Sequence, residues 1–226
     1  MQKDRTAEWF VPKSGSRKFK IGVGILFLPY TGVVTCFAIW GSMVDGFAIE
    51  RTIAIAMIYF LAVGVSAHFL DAVYGKTKPW GTLPKRKLVA AALIALGISF
   101  GIGIFYAIYD SPLLIPIGIV EGFFLFAYNM ELFGGKFHNN ASTVFSWGIL
   151  PVFAGSAIQS NSISLETLLL SAVSGIVTYL LIITSRKYKH FMQSSNVLQA
   201  KKKEHVLKAI TFGVLAGTVL FFFIRV

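Results

Sequence analysis

Acid is scarce in this chain. It carries 10 Asp and Glu against 21 Lys and Arg, and the four charged types make up only 14% of its 226 residues. A soluble globular domain draws about 25% of its residues from those types. With 55% hydrophobic residues, too little polar surface remains to cover a soluble core. Cysteine occurs once, at Cys36, which excludes an internal disulfide and a cysteine zinc cluster. In its apolar stretch it reads as a small core residue. No phosphate-cradling loop, serine elbow or paired-histidine metal motif is present. The closely spaced glycines Gly22/Gly24 and Gly101/Gly103 follow no strand, so they are not a nucleotide fingerprint. Internal repeats, low-complexity tracts and a separate soluble domain are also missing, so 1–226 reads as one domain.

What the chain does have is long apolar runs. Seven of them, over 21–44, 52–74, 88–109, 112–133, 143–159, 165–185 and 206–224, are separated by short polar segments. Most reach the roughly 20 residues a helix needs to cross a bilayer. They are continuous, not alternating, which favours helices over a barrel. The first is too long for a signal-peptide core and has no clear cleavage site. The expected fold is therefore all-α, a polytopic membrane helix bundle of about seven transmembrane helices.

Charge orients the bundle. Of the 21 Lys and Arg, all but Arg51 and Arg225 fall in or beside alternate segments: the tail 1–20, the loop 75–87, the short loop at Lys136, and the loop 186–205 with Lys208 just beyond it. Asp45, Glu50, Asp110 and Glu166 occupy the other segments. Short cytoplasmic loops retain Lys and Arg, so the N-terminus is expected inside and the C-terminus outside, in the plasma membrane. The net charge of +11 thus belongs to membrane edges and anionic lipid headgroups; it is not a nucleic-acid footprint. The loop 75–87, with Pro79, Gly81 and Pro84, reads as non-helical. The basic loop 186–205 has room for a short interfacial helix.

Polar residues at membrane depth need a partner or a purpose. His68 and Asp71 lie three apart near the inner end of the second span, so they share a helix face. The spacing fits a substrate or metal site and equally a His–Asp hydrogen bond packing two helices. The topology brings His68, Asp71, Tyr128, Glu131 and Asn140 to one cytoplasmic layer. Glu121 lies nearer mid-membrane, either bonded across the bundle or part of a polar cavity. Gly97-x-x-x-Gly101 and Gly213-x-x-x-Gly217 are expected at close helix contacts.

The order of these features resembles the UbiA-type intramembrane prenyltransferases. The segment 67–75 stands where that superfamily has an Asn-x-x-x-Asp-x-x-x-Asp motif, and 78–88 is similar to its following loop. Tyr128, Lys136, Asn140 and Gly148-Ile149-Leu150-Pro151 resemble its fourth and fifth helices. The likeness runs from about Thr31 to Ser185. Of the first acidic motif only Asp71 is kept, with Ala67 and Gly75 at the flanking positions. Segment 185–190 carries no acid where a second motif belongs, and one span follows where the family has three.

The resemblance implies a prenyltransferase, or a relative that binds an isoprenoid (di)phosphate among its helices. Asp71 and His68 are then the catalytic candidates, with Asp71 positioning magnesium (Mg2+) or stabilising a carbocation. Lys78, Lys136 and Lys187 would contact phosphate, Asn140 would orient it, and Tyr128 would line the same site. Membrane lipids are the expected partners. Two alternatives stand beside this reading: a non-catalytic lipid-binding or scaffold protein, and a small transporter that uses Glu121 and the His68–Asp71 pair.

Overall fold

The computed structural model describes residues 5–76 and 78–225, and each of its apolar runs is mainly helical. Lys3, counted in the basic tail, lies outside the described residues. A short 3-10 turn, Arg5–Ala7, precedes α1 (Arg17–Ile25) and α2 (Leu28–Val44). Then follow α3 (Ile49–Tyr74), α4 (Lys85–Tyr109), α5 (Leu114–Asn129), α6 (Asn140–Ser160), α7 (Leu165–Gln193) and α8 (Val197–Arg225). Six spans are long and apolar enough to cross a membrane, with α1 and α2 together forming the first; α5 is a shorter apolar helix. The protein is thus an integral-membrane helical bundle.

Two sequence expectations need correction. The stretch 186–205 is helical except at 194–196, because α7 runs on to Gln193 and α8 begins at Val197. Lys and Arg are good helix formers, so the helices continue where the apolar runs stop. The fourth span ends early, at Asn129, and the chain turns through positive φ at Glu131 and Phe133.

α2 and α6 form the centre and cross most closely. A Cβ on Gly41 would stand 2.0 Å from the Val152 carbonyl oxygen, and one on Gly155 would stand 2.0 Å from that of Ala38. α7 and α8 pack on one side of this pair, around Phe37, Val152, Leu181, Tyr188 and Leu207. α3, α4 and α5 pack on the other, around Val34, Ile55, Tyr59, Ala107 and Ile158. A buried Ser/Thr stripe on α7 lets α6 approach, and Ser174 Oγ donates to the Gly148 carbonyl at 2.7 Å. Gly97, Gly101 and Gly213 meet no other atom within 4 Å of a built Cβ, and Gly217 meets only Trp40 at 4.0 Å, so neither expected glycine pair makes the close crossing.

Three irregularities interrupt the spans. Between α1 and α2, Phe27 sits in the left-handed region at φ 45°, where Pro29 withholds an N–H. Thr31 Oγ1 takes up the freed Leu26 carbonyl at 2.8 Å. α3 widens into π-helical turns over Phe60–Ala67, and α6 over Phe145–Ile149 ahead of Pro151. Such wide turns commonly mark functional segments.

The two ends of the bundle differ in chemistry. At one, Arg51 holds both Asp110 oxygens, while Asp45 accepts from Ser156 at 2.6 Å and Thr167 at 2.7 Å. At the other lie Arg5, the 75–84 connection, the 130–139 connection and the 194–196 turn. There Lys76 pairs with Glu131 at 3.0 Å, and Arg5 lies over the Phe27 ring at 4.5 Å. We call this second end the basic end.

Candidate functional site

The basic end holds a chain of stacked and edge-on rings. Trp80 meets Phe27 at 6.1 Å, Phe27 stacks on His68 at 5.1 Å, and His68 meets Trp147 edge-on at 5.9 Å. Trp147 lies 6.2 Å from Tyr128, which stacks on His138 at 4.2 Å. The backbone irregularities aim this chain: Phe27 is the left-handed residue, His68 follows the wide turns of α3, and Trp147 lies within those of α6.

His68 is buried, and its Nδ1 lies 3.4 Å from Thr31 Oγ1. It makes no hydrogen bond to Asp71, so the His–Asp bond that would pack two helices is not formed. The Asp71 carboxylate accepts no hydrogen bond among the described residues. It lies in electrostatic range of His138, Lys189, Arg5 and Glu131. Tyr128 lies in electrostatic range of Asp71 and Arg186. Glu131 accepts from the Lys76 backbone N–H at 2.9 Å and pairs with its ammonium. Burial would raise the Glu131 carboxyl, but these Lys76 contacts outweigh it and hold the group below its usual range.

The remaining candidates are dispersed. Lys78 turns back to donate to the Val73 carbonyl. Lys187 is exposed on α7, and Lys136 is exposed and caps Asn139 Nδ2 through its carbonyl at 2.8 Å. Asn140 opens α6 with its Oδ1 buried and unpartnered. No contact joins Lys78, Lys136, Asn140 or Lys187 to Asp71 among the described residues.

A magnesium clamp needs several oxygen ligands held together. Among the described residues no three His, Cys, Asp or Glu converge. Glu131 is engaged by Lys76 and Glu8 by Arg5 at 2.5 Å, which leaves Asp71 alone among cations. This donor set does not fit the paired acidic clamps that the resemblance implies.

Below the ring chain lies a cavity of about 460 Å³ between α3, α4, α5 and α6. This is within the roughly 300–1,000 Å³ of small-molecule sites. Its wall is almost wholly apolar and runs from Leu114 and Ala107 at one end to Ala67, Asn129 and Trp147 at the other. Ile104, Ile115 and Ile119 also line it and are themselves 54%, 52% and 67% exposed, so it opens sideways between α4 and α5. Within it, Tyr59 O–H donates to Glu121 Oε1 at 2.8 Å, a bond across the bundle from α3 to α5. His68, Asp71, Tyr128 and Asn140 do not line this cavity; Trp147 is the one ring of the chain that does.

No match was found. No family model, curated protein sequence or solved structure matches this chain.

Sequence reasoning missed five residues here. Arg5 and Trp80 enclose Phe27 from the tail and the first connection. Trp147 and Tyr59 looked like ordinary apolar span residues. Phe27 carried one signal, Pro29 two residues beyond it, which breaks a helix.

Proposed function

We propose that this is an integral-membrane lipid-binding protein, which takes an apolar chain into the cavity between α3, α4, α5 and α6. One observation carries the reading: an apolar cavity of about 460 Å³ at membrane depth, open toward the lipid side. Lipid tails have direct access to such a cavity without crossing a polar layer. The resemblance makes an isoprenoid phosphate the first ligand to try. Its chain would occupy the cavity, and its head would point to the basic end, where Arg5, Lys189 and His138 surround Asp71. Transfer of the prenyl group is the enzymatic form of the same reading. The donor set at that end supports holding an anionic head more than ionising a diphosphate.

Gly118 provides the test. It lines the cavity, and nothing lies within 4 Å of a Cβ built there. Gly118→Phe should fill the cavity while leaving the fold intact. Native mass spectrometry of protein purified from membranes should show a retained lipid in the wild type and its loss in this variant. Equal retention in both would refute the cavity reading. Asp71→Asn, at a carboxylate that accepts no hydrogen bond, should keep the melting temperature and alter retention only of lipids with charged heads.

A further inference from the structure

The charges at the basic end do not all pair off, and those left over suit one kind of head group. The inference rests on the lipid-binding reading above and names the head for it. Glu8 is taken by Arg5, Glu131 by Lys76, and His138 Nδ1 lies 3.2 Å from the Tyr128 carbonyl. Three groups remain: Asp71 on α3, and Arg186 and Lys189 on α7. None of them makes a hydrogen bond or an ion pair among the described residues.

Contacts that converge on Phe27 bring the three together. Phe27 stacks on His68, and Asp71 follows His68 by three residues, about one turn nearer the basic end. On its other side Phe27 meets Tyr30 at 5.8 Å, and the Tyr30 hydroxyl donates to Ser185 Oγ at 2.9 Å. Lys189 follows Ser185 by four residues, again about one turn nearer that end. The acid and the ammonium thus stand above the same ring, in electrostatic range of each other yet not paired. Arg186 lies three residues before Lys189, on the same side of α7 and in range of it. Asp71 is partly exposed and the two cations are exposed, so all three are open to a ligand.

A head of one sign satisfies only part of this set. An anion gains from Arg186 and Lys189 and is repelled by Asp71; a cation does the reverse. A head that carries both charges meets each with its opposite. We propose that the basic end selects a zwitterionic aminophosphate head. Its phosphodiester lies against Arg186 and Lys189, and its protonated primary amine donates to the Asp71 carboxylate. The Arg fork matches two phosphate oxygens, and an ammonium brings donors to a carboxylate that accepts from none. The same chemistry exists in a phospholipid and in its free head; the apolar cavity favours the phospholipid.

The experiment titrates the full chain, stripped of lipid in detergent, with dioleoyl lipids under native mass spectrometry. Dioleoyl phosphatidylethanolamine carries both charges. Its N-acetyl derivative keeps only the phosphate, and a dioleoyl lipid headed by a primary amine keeps only the cation. The zwitterion should bind about tenfold more tightly than either, the worth of one charge-assisted hydrogen bond. Asp71→Asn should bring the preference over the N-acetyl lipid to about one and leave the preference over the amine lipid. Arg186→Gln with Lys189→Gln should do the converse. Both variants should keep the wild-type melting temperature, and the wild-type comparison decides alone if either fails to fold.

Wild-type affinity for the N-acetyl lipid equal to that for the zwitterion would overturn the proposal in favour of a purely anionic head. Equal affinity for the amine lipid would overturn it in favour of a cationic one. So would a preference over the N-acetyl lipid that survives Asp71→Asn. Free glycerophosphoethanolamine should not displace the zwitterionic lipid at equal concentration. Displacement by it, or affinities unchanged by Gly118→Phe, would instead refute the cavity reading on which the proposal rests.

Discussion

Adding one methyl group at Gly41 should destabilise the bundle strongly. The new Cβ would lie 2.0 Å from the Val152 carbonyl oxygen, 2.8 Å from its carbon and 2.9 Å from its Cα. All three are backbone atoms, so no rotamer change relieves the clash. Ordinary contact begins at 3.4 Å, so α2 and α6 must part by more than an ångström. Overpacking a well-packed interior costs about 1–3 kcal/mol and occasionally more. Here the separation also loosens the rest of the central crossing, including the reciprocal contact of Gly155 with Ala38. We therefore expect about 3 kcal/mol for Gly41→Ala, on the order of 10 °C in melting temperature for a chain of this length. The assay is thermal unfolding in one detergent, beside Gly97→Ala and Gly101→Ala. At those two positions a methyl meets nothing within 4 Å, so the gain in helix propensity should leave stability equal or slightly raised. Gly41→Ala with Gly155→Ala should cost less than the sum, because one separation relieves both clashes. Gly41→Ala as stable as Gly97→Ala would refute the reasoning.

Two further outcomes are open to measurement. The Asp45 and Asp110 carboxyls are both held below the usual carboxylate range. At Asp45, burial would raise the group but is outweighed by hydrogen bonds from Ser156, Thr167 and Ser164; at Asp110 the cause is the Arg51 hydrogen bond. A carboxyl with a depressed folded pKa adds stability above its unfolded pKa, near 4, and loses it as pH falls through the folded value. Acid unfolding of Asp45→Asn and Asp110→Asn should therefore be less pH-dependent below about pH 4 than that of the wild type, and unchanged slopes would contradict these contacts. Reporter fusions should place 75–84 and 194–196 on the same side as the N-terminus and 110–113 on the other; a split between the two basic connections would overturn the topology.

The seven apolar runs were readable in the sequence because hydropathy marks where a chain meets lipid. It does not mark where a helix stops, which is why α7 and α8 run through Arg186, Lys187 and Lys201 into a segment that reads as a loop. Spacing likewise places Gly97 and Gly101 on one face but cannot say whether another helix lies there; Gly41 and Gly155, with no small-residue repeat to announce them, form the crossing. Depth was enough to bring His68 and Tyr128 to one layer and Glu121 to a lower one. The partners that give these residues their surroundings are far away in sequence: Phe27 and Thr31 for His68, Tyr59 for Glu121. Asn140, Lys136 and Lys187 share the layer with Asp71 but not its contacts, because a layer fixes height and leaves the direction of each side chain open.

The wide turns of α3 and α6 have a consequence for how this molecule tolerates changes in length. A π-helical turn behaves as one residue inserted into an α-helix, and one residue corresponds to about 100° of rotation. Deleting a residue within 60–67 would let α3 close into a regular helix. The span would persist, yet His68 and Asp71 would swing round its axis, away from Phe27 and the Arg5 side. In a loop such a deletion changes reach; here it changes bearing. These segments are points where a protein of this architecture can re-aim its basic end while the membrane-crossing frame stays in place.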